Sequence, residues 1–337
     1  MAFVDPAKLY PLLFSPIYQT RMWGGSLLTE KLGRTVSNAA LPIGESWEVV
    51  DRDATQSMVR SGALAGNTLG RLVEYYGKLL MGNKWIGRGR FPLIVKLLDA
   101  GQRLSLQVHP DEAYCRANPG AEPKSEMWYV ISHREGAKIM AGLSPRATRQ
   151  QLLGQLGSME VENCLQNYPS FDGDAYFIPS GTLHALGEGN LVLEVQQNSD
   201  STFRLSDWGR VGTDGQPREL HVTEALESIN FMNRSTTRIP GVVDVAERNR
   251  KFTLVNMCRN FSCDVLKLRN LWRDDTVGAS FHLLTAINNP IKVGRHSESE
   301  AMVEVAPGDT ALVPACFGSY FIVPQRAGTT DVVRTTL

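Results

Sequence analysis

The sequence predicts a mainly β protein built from two similar modules, with small helical insertions in the first. Short runs that alternate apolar and polar residues are typical of strands with one buried face. Helical spacing of apolar residues predicts insertions at about 62–82 and about 145–167, the second starting with Ser144 as N-cap. A Gly-Asp-x-x-x-x-Pro pattern begins at both Gly173 and Gly308, which indicates an internal repeat.

The composition excludes several classes of function. The 337 residues include 35 basic and 35 acidic side chains, so neither nucleic acid nor a membrane is expected as a partner. The five cysteines lack C-x-x-C spacing, which argues against a zinc ribbon or a disulfide framework and fits a reducing cytoplasm. The N-terminal residues lack a signal-peptide pattern, and no apolar run reaches membrane-spanning length. We therefore expect a soluble, cytoplasmic monomer or homodimer.

One stretch places three polar residues on the same side of a predicted strand. Ser105, Gln107 and His109 recur at a period of two, so they share a face. The apolar residues from Leu104 to Val108 are expected to pack together on the opposite face. Two potential metal ligands, two residues apart, therefore project into the same space.

Two further segments carry ionisable residues in similar positions. A second alternating run places Lys124 and Glu126 on one strand face. The strand that begins after Gly173 ends in a Pro-x-Gly turn, which delivers His184. The corresponding position of the C-terminal repeat is Ser319, so that copy lacks this candidate ligand.

The spacing of Gln107, His109, Glu126 and His184 resembles the paired motifs of cupins, small jelly-roll β-barrels that hold a metal between strands. Gln107 replaces the first His of the usual H-x-H, and an insertion displaces Glu126. This mixed nitrogen and oxygen set suits Zn²⁺ and leaves room for water or substrate. Taken singly, each residue is more often an ordinary buried or solvated side chain. The four positions together favour a metal site.

The resemblance sharpens to one family in four long segments. They are LSLQVHPDE at 104–112, KSEMWYV at 124–130, PSGTLHAL at 179–186 and LEVQQNSDSTFRLSDWGR at 193–210. These segments resemble the type I phosphomannose isomerases in their short bacterial form.

The resemblance covers most of residues 10–230 and implies a two-module architecture. Residues 1–235 would form a catalytic cupin module, and residues 236–337 a cupin-like module without metal ligands. It also implies a zinc-dependent interconversion of mannose 6-phosphate and fructose 6-phosphate. The substrate expected is therefore a small phosphosugar.

Individual roles follow from the same resemblance. The zinc ligands of the family match the four residues named above. Its active-site arginine matches Arg204, its acidic residue on the preceding strand matches Glu194, and its lysine beside the zinc glutamate matches Lys124.

Aldose–ketose isomerisation moves a proton between C1 and C2 of an open-chain sugar through an enediol or enediolate. The site therefore needs a base, a group that stabilises negative charge and an anchor for phosphate. Glu194 is a candidate base held beside Arg204, which stabilises charge or binds phosphate. Lys124 is an alternative, because a lysine next to bound zinc should have a lowered pKa. Ser105 and Lys96 are candidate substrate-binding residues, although Lys96 fits a snorkelling lysine equally well.

Two other functions are compatible with a cupin sequence. One is a metal-dependent dioxygenase, against which Gln107 departs from the common iron-binding set. The other is a sugar-binding or regulatory cupin without turnover, against which Glu194 and Arg204 are both in place.

Overall fold

The structure, a computed structural model, describes residues 3–35, 42–87, 89–211, 215–233, 237–239, 248–256, 258–296 and 302–337. Strands dominate it and the helices are short, which confirms the mainly β prediction. The chain divides into two compact units. The first comprises Met1–Ile17, Trp47–Val95 and Val243–Leu337, and the second comprises Tyr18–Ser46 and Lys96–Val242. The predicted module boundary at 235/236 lies outside the described residues, and that division stays a prediction.

The strands are short and are numbered here in chain order. They are β1 (Leu12–Leu13), β2 (Ile17–Gly25), β3 (Ile43–Val49), β4 (Asp51–Arg52), β5 (Thr55–Gln56), β6 (Leu93–Ala100), β7 (Leu106–Val108), β8 (Glu126–His133), β9 (Lys138–Leu143), β10 (Leu165–Pro169), β11 (Ala175–Ile178), β12 (His184–Leu186), β13 (Asn190–Gln197), β14 (Phe203–Ser206), β15 (Arg238–Ile239), β16 (Arg250–Val255), β17 (Ser262–Leu268), β18 (Trp272–Asp275), β19 (His282–Ala286), β20 (Ile291–Gly294), β21 (Val303–Val305), β22 (Thr310–Val313), β23 (Ser319–Pro324) and β24 (Thr330–Thr336).

The α-helices are α1 (Leu27–Leu32), α2 (Leu69–Tyr76), α3 (Lys78–Met81), α4 (Glu112–Ala117), α5 (Arg149–Gln155) and α6 (Val222–Ser228). The 3-10 turns span Pro6–Lys8, Met159–Cys164 and Ala315–Phe317. Helices α2 and α3 fall in the first predicted insertion, and α5 with the second 3-10 turn falls in the other. Within the described ranges, no helix is long and apolar enough to cross a membrane.

Helix α5 begins later than the sequence predicts. The Thr148 hydroxyl accepts the Gln151 N–H, and the Gln151 side chain accepts the Thr148 N–H, which closes a capping box. Ser144 lies before this cap, and its N–H donates to the Cys164 carbonyl. The prediction of Ser144 as N-cap is therefore wrong, because Ser144 is held by this hydrogen bond to a distant residue and the reciprocal cap forms at Thr148.

The second unit is organised by two sheets. Strands β10-β9-β12-β7-β14 form a five-stranded sheet, and β15-β11-β8-β13-β6-β2-β3 form a seven-stranded one. Both sheets contribute side chains to one apolar core, so they pack face to face as in a jelly roll. The buried members of this core are Trp23, Leu98, Ala100, Leu104, Trp128, Val130, Ile139, Ala141, Tyr176, Ile178, Leu186 and Val192.

The outer face of the five-stranded sheet is covered by helices. Leu106 and Val108 of β7 share a core with Leu152 of α5 and Ala225 of α6. Leu104 does not join them and packs in the core between the sheets. The prediction that the residues from Leu104 to Val108 share a face is therefore wrong at Leu104, because the strand starts only at Leu106.

The C-terminal segments of the first unit repeat this two-sheet arrangement. Strands β1-β22-β19-β24-β17-β16 form a six-stranded sheet, and β18-β23-β20-β21 form a four-stranded one. Side chains of both sheets share a second buried core, which includes Leu284, Val293, Tyr320 and Val332.

Strand register agrees with the internal repeat. Ile178, five residues after the first repeat glycine, pairs with Glu126. Val313, five residues after the second repeat glycine, pairs with His282. His282 therefore occupies in the C-terminal segment the place that Glu126 has in the second unit.

A second register pair completes the correspondence. His184 pairs with Gln107, and Ser319 pairs with Asp275. Both His184 and Ser319 are the first residues of their strands. In the C-terminal copy the Ser319 hydroxyl donates to the Asp275 carboxylate, so the backbone arrangement is repeated but the side-chain chemistry is different.

A buried carboxylate holds the first turn of α1. The Leu28 N–H donates to Asp99 Oδ2 at 2.7 Å, and Asp99 on β6 has no exposed surface. Burial raises the pKa of Asp99 to about 6, although backbone hydrogen bonds from Leu28 and Leu27 act in the opposite direction.

This pKa predicts a pH dependence of stability. The pKa of Asp99 is higher in the folded state than in the unfolded state, so the folded state binds this proton more tightly. As the pH rises from 4 to 6 the proton is lost, and the free energy of unfolding therefore falls. The full effect is on the order of 2–3 kcal/mol. We expect the free energy of unfolding, measured with urea at pH 4.5 and 6.5, to change less with pH in Asp99→Asn than in the unaltered protein. Asp53→Asn, at a carboxylate whose side chain is 88% exposed, is the control. An unchanged slope in Asp99→Asn would contradict the assignment.

Candidate metal centre

Three buried residues from different strands meet inside the second unit. His109 follows β7, Glu126 begins β8 and His184 begins β12. One ligand atom from each lies within 4.8 Å of the others, and their exposures are 1%, 0% and 0%. Among the described residues, they form the one such group of His, Cys, Asp or Glu side chains. Three of the four predicted ligands are thus brought together.

Backbone carbonyls fix the tautomer of both imidazoles. His109 Nδ1 lies 2.9 Å from the Ser201 carbonyl, and His184 Nδ1 lies 2.8 Å from the Thr182 carbonyl. Because a carbonyl oxygen can only accept, each Nδ1 carries the hydrogen and each Nε2 keeps its lone pair. The Nε2 atoms of His109 and His184 lie 3.1 and 3.6 Å from the two oxygens of Glu126.

The protonation states make this group rich in electron pairs. Burial lowers the pKa of His109, and it lowers the pKa of His184 to about 4, so both rings are neutral at pH 7. Burial acts to raise the pKa of Glu126, but the Lys124 ammonium outweighs it and holds that pKa well below its usual range. Lys124 Nζ lies 2.5 Å from Glu126 Oε1.

The group fits a metal cation. His109 Nε2 and Glu126 Oε2 make no hydrogen bond to any described residue, whereas Glu126 Oε1 has the Lys124 ammonium as its partner. Buried acceptors left without hydrogen bonds are costly, and a divalent cation would satisfy all of them at once. The structure therefore provides a group that could hold a metal ion, with the nitrogen and oxygen donors that zinc accepts.

Gln107, the fourth predicted ligand, lies at the edge of this group. Its side-chain Nε2 is 3.3 Å from His184 Nε2, and its Oε1 accepts a hydrogen bond from the Ser105 hydroxyl at 3.2 Å. A half-turn of the carboxamide would exchange its oxygen and nitrogen. The oxygen would then face the metal group, and the N–H would face the Ser105 oxygen.

A second buried cluster lies next to the first, in the seven-stranded sheet that also carries Glu126. Lys96 Nζ is 3.3 Å from Glu194 Oε2 and donates to Gln196 Oε1 at 2.7 Å. The Trp128 indole N–H donates to Glu194 Oε1 at 3.0 Å. Glu194 thus forms its ion pair with Lys96, whereas the sequence suggested Arg204 as its neighbour.

The pKa of Glu194 is raised. Burial and the negative charge of Glu126 both raise it, and together they outweigh the opposite effect of Lys96. Burial acts to lower the pKa of Lys96, but the charges of Glu194 and other nearby carboxylates raise it overall. Lys96 is therefore a buried cation whose charge is matched within the site.

Arg204 lies next to Gln107 in the five-stranded sheet, in direct register with it. Its Nη1 donates to the Glu219 carbonyl at 2.7 Å, and its Nε makes no hydrogen bond within the described part of the chain. Burial, followed by the positive charge of Arg218, lowers the pKa of Arg204. A guanidinium still remains charged at neutral pH.

Sequence reasoning missed two side chains of this site. Trp128 contacts Glu194, and Gln196 contacts Lys96. A usable signal existed for Trp128, because it shares the period-two face of Glu126. The carbonyls that orient the histidines had no such signal, since they depend on loop conformation alone.

Comparisons with known proteins all point to one family. A family model described as the catalytic domain of type I phosphomannose isomerase matches residues 12–127. A probable mannose-6-phosphate isomerase of Bacillus subtilis, GmuF, is 32% identical over 315 residues, covering 93% of this chain and 96% of the relative. Mannose-6-phosphate isomerase ManA of B. subtilis is 38% identical over 220 residues, covering 65% and 68%. The crystal structure of a B. subtilis mannose 6-phosphate isomerase matches with 29% identity and a TM-score of 0.83, covering 97% and 99%.

The candidate metal centre makes a prediction for the variant His184→Ala. After incubation with zinc and dialysis, the unaltered protein should retain about one equivalent per chain, and zinc should raise its melting temperature. His184→Ala should lose most of both effects, because it removes one of the converging lone pairs. Elemental analysis and thermal unfolding are the measurements.

His133→Ala is the matched control, since His133 is partly exposed and pairs with Asp172 outside the group. A full equivalent of zinc retained by His184→Ala would remove this residue from the ligand set.

Proposed function

The chain belongs to the type I phosphomannose isomerase family, as its motifs predict, and we propose that it interconverts mannose 6-phosphate and fructose 6-phosphate. The observation that carries the proposal is the buried group of His109, Glu126 and His184, with Glu194 and Lys124 beside it. These residues include the acid and base groups that are needed to move a proton between two sugar carbons.

We propose zinc as the cofactor, held by His109, Glu126 and His184 with the Gln107 oxygen as a fourth ligand. Two neutral imidazoles, a carboxylate and an amide oxygen form a donor set that zinc accepts. When bound there, zinc supplies a Lewis acid close to the sugar oxygens.

The charge balance of the site supports a phosphosugar substrate. The buried carboxylates of Glu126 and Glu194 are matched by the buried ammonium groups of Lys96 and Lys124. A divalent cation would therefore leave the interior positive, and the charge of Arg204 adds to this. A phosphate ester with its sugar oxygens complements such a site better than a neutral sugar does.

We propose Glu194 as the base that moves the proton between C1 and C2, through an enediol or enediolate. Its raised pKa supports the role, because a base works best with a pKa near the working pH. Lys124 is the competing candidate, but its ammonium lies against Glu126 at 2.5 Å, which supports a role in charge balance. Arg204 would stabilise the negative charge of the enediolate or bind phosphate.

Ser105 and Lys96 remain the proposed substrate-binding residues. Both are buried in the same interior, at 4% and 8% exposure. The Ser105 hydroxyl contacts Gln107, and the Lys96 ammonium contacts Glu194. Each could thus contact the substrate directly, or act on it through the site residue to which it is bonded.

The family assignment favours isomerisation over the two alternatives, a cupin dioxygenase and a cupin without turnover. We also propose a cytoplasmic protein, monomeric or homodimeric. The five cysteines are all free, which is compatible with a reducing compartment.

The proposal predicts that the zinc-loaded protein converts mannose 6-phosphate to fructose 6-phosphate. A coupled assay that detects fructose 6-phosphate measures this, with free mannose as the control substrate. Turnover of mannose 6-phosphate should greatly exceed that of mannose, because the positive interior favours the phosphate. Activity on free mannose alone would contradict the phosphosugar assignment, and no activity on either would favour a binding protein.

A further inference from the structure

We propose that Trp128 is a positioning residue of the isomerase, which orients the carboxylate of Glu194 through its indole N–H. The inference rests on the function proposed above and extends it to a residue outside the predicted active-site set. The basis is a pair of adjacent strands, β8 and β13, whose facing side chains form a small array.

The array follows from strand register. Trp128 pairs with Glu194, and Glu126 pairs with Gln196, two residues along each strand. Residues two apart on a strand share a face, so all four side chains lie on one side of the sheet. The candidate base and the candidate metal ligand are therefore diagonal neighbours, with Trp128 directly beside each.

Both oxygens of the Glu194 carboxylate have their own donor. Oε1 accepts the Trp128 indole N–H at 3.0 Å, and Oε2 faces Lys96 Nζ at 3.3 Å. Two donors on opposite sides of a carboxylate fix its rotation about the last side-chain bond. A base must hold its oxygen within hydrogen-bond reach of the proton it removes, so this rotation decides how often the geometry is productive.

Trp128 is itself held rigidly. It is 1% exposed and packs in the core between the two sheets. Its ring also meets the His184 ring edge to face, with the centroids 5.4 Å apart. One indole thus contacts a candidate ligand through its ring and the candidate base through its N–H.

A core residue of this size has a structural role as well, so the test must separate shape from hydrogen bonding. Trp128→Phe keeps an aromatic ring and removes the N–H. We expect kcat for mannose 6-phosphate to fall about tenfold or more, as for loss of a hydrogen bond to a charged group. KM and zinc content should stay close to those of the unaltered zinc-loaded protein, whereas the melting temperature should fall because the smaller ring leaves part of the core unfilled.

Trp272→Phe is the matched control. Its indole N–H also donates to a carboxylate, that of Asp274, but in the C-terminal segment of the first unit. It should leave kcat unchanged. If Trp128→Phe fails to fold, replacement of Trp128 by the tryptophan isostere with sulfur in place of N–H keeps the ring shape and gives the same prediction.

A double variant with Glu194→Gln completes the test. If Trp128 acts through Glu194, adding Trp128→Phe to Glu194→Gln should cause almost no further loss. An equal further loss, or an unchanged kcat in the single variant, overturns the positioning role. Absence of isomerase activity in the unaltered protein is a different result, because it refutes the proposed function itself and the inference with it.

Discussion

Much of this structure depends on the burial of one ionised carboxylate. Glu126 has no exposed surface, yet the Lys124 ammonium keeps it charged. An ionised group in a protein interior costs several kcal/mol unless partners compensate for it. Lys124 supplies one partner, and the lone pairs of His109 and His184 repel the carboxylate rather than satisfy it. A bound cation would turn these facing acceptors from a cost into a stabilising interaction.

Strand register in the jelly roll positions Gln107, Glu126 and His184, and loops supply the carbonyls that orient the two histidines. His184 and Arg204 lie on either side of Gln107 in one sheet. Glu126 and Glu194 come from the facing sheet. The Pro179–Gly181 turn, in which Gly181 has a φ of +80°, brings the chain back from one sheet to the other. The same register recurs in the C-terminal repeat, where the side chains bind one another.

The predictable part of the site is the part encoded at short range. Period-two spacing predicted that Ser105, Gln107 and His109 share one face, and the Pro-x-Gly turn predicted the position of His184. Predictions failed where tertiary contacts decided the outcome. Leu104 joined another core because β7 starts only at Leu106, and the cap of α5 moved to Thr148 because Ser144 was engaged elsewhere. The ion pair of Lys96 with Glu194 could not be read from the sequence, since their contact depends on strand order.

The central claim is that the converging acceptors of His109, Glu126 and His184 hold a zinc ion. Anomalous diffraction from crystals of zinc-loaded protein, measured on both sides of the zinc absorption edge, tests it most directly. The account predicts a strong zinc peak about 2.0–2.2 Å from both Nε2 atoms and a Glu126 oxygen. Absence of that peak, with zinc bound instead near His282 in the C-terminal repeat, would contradict it.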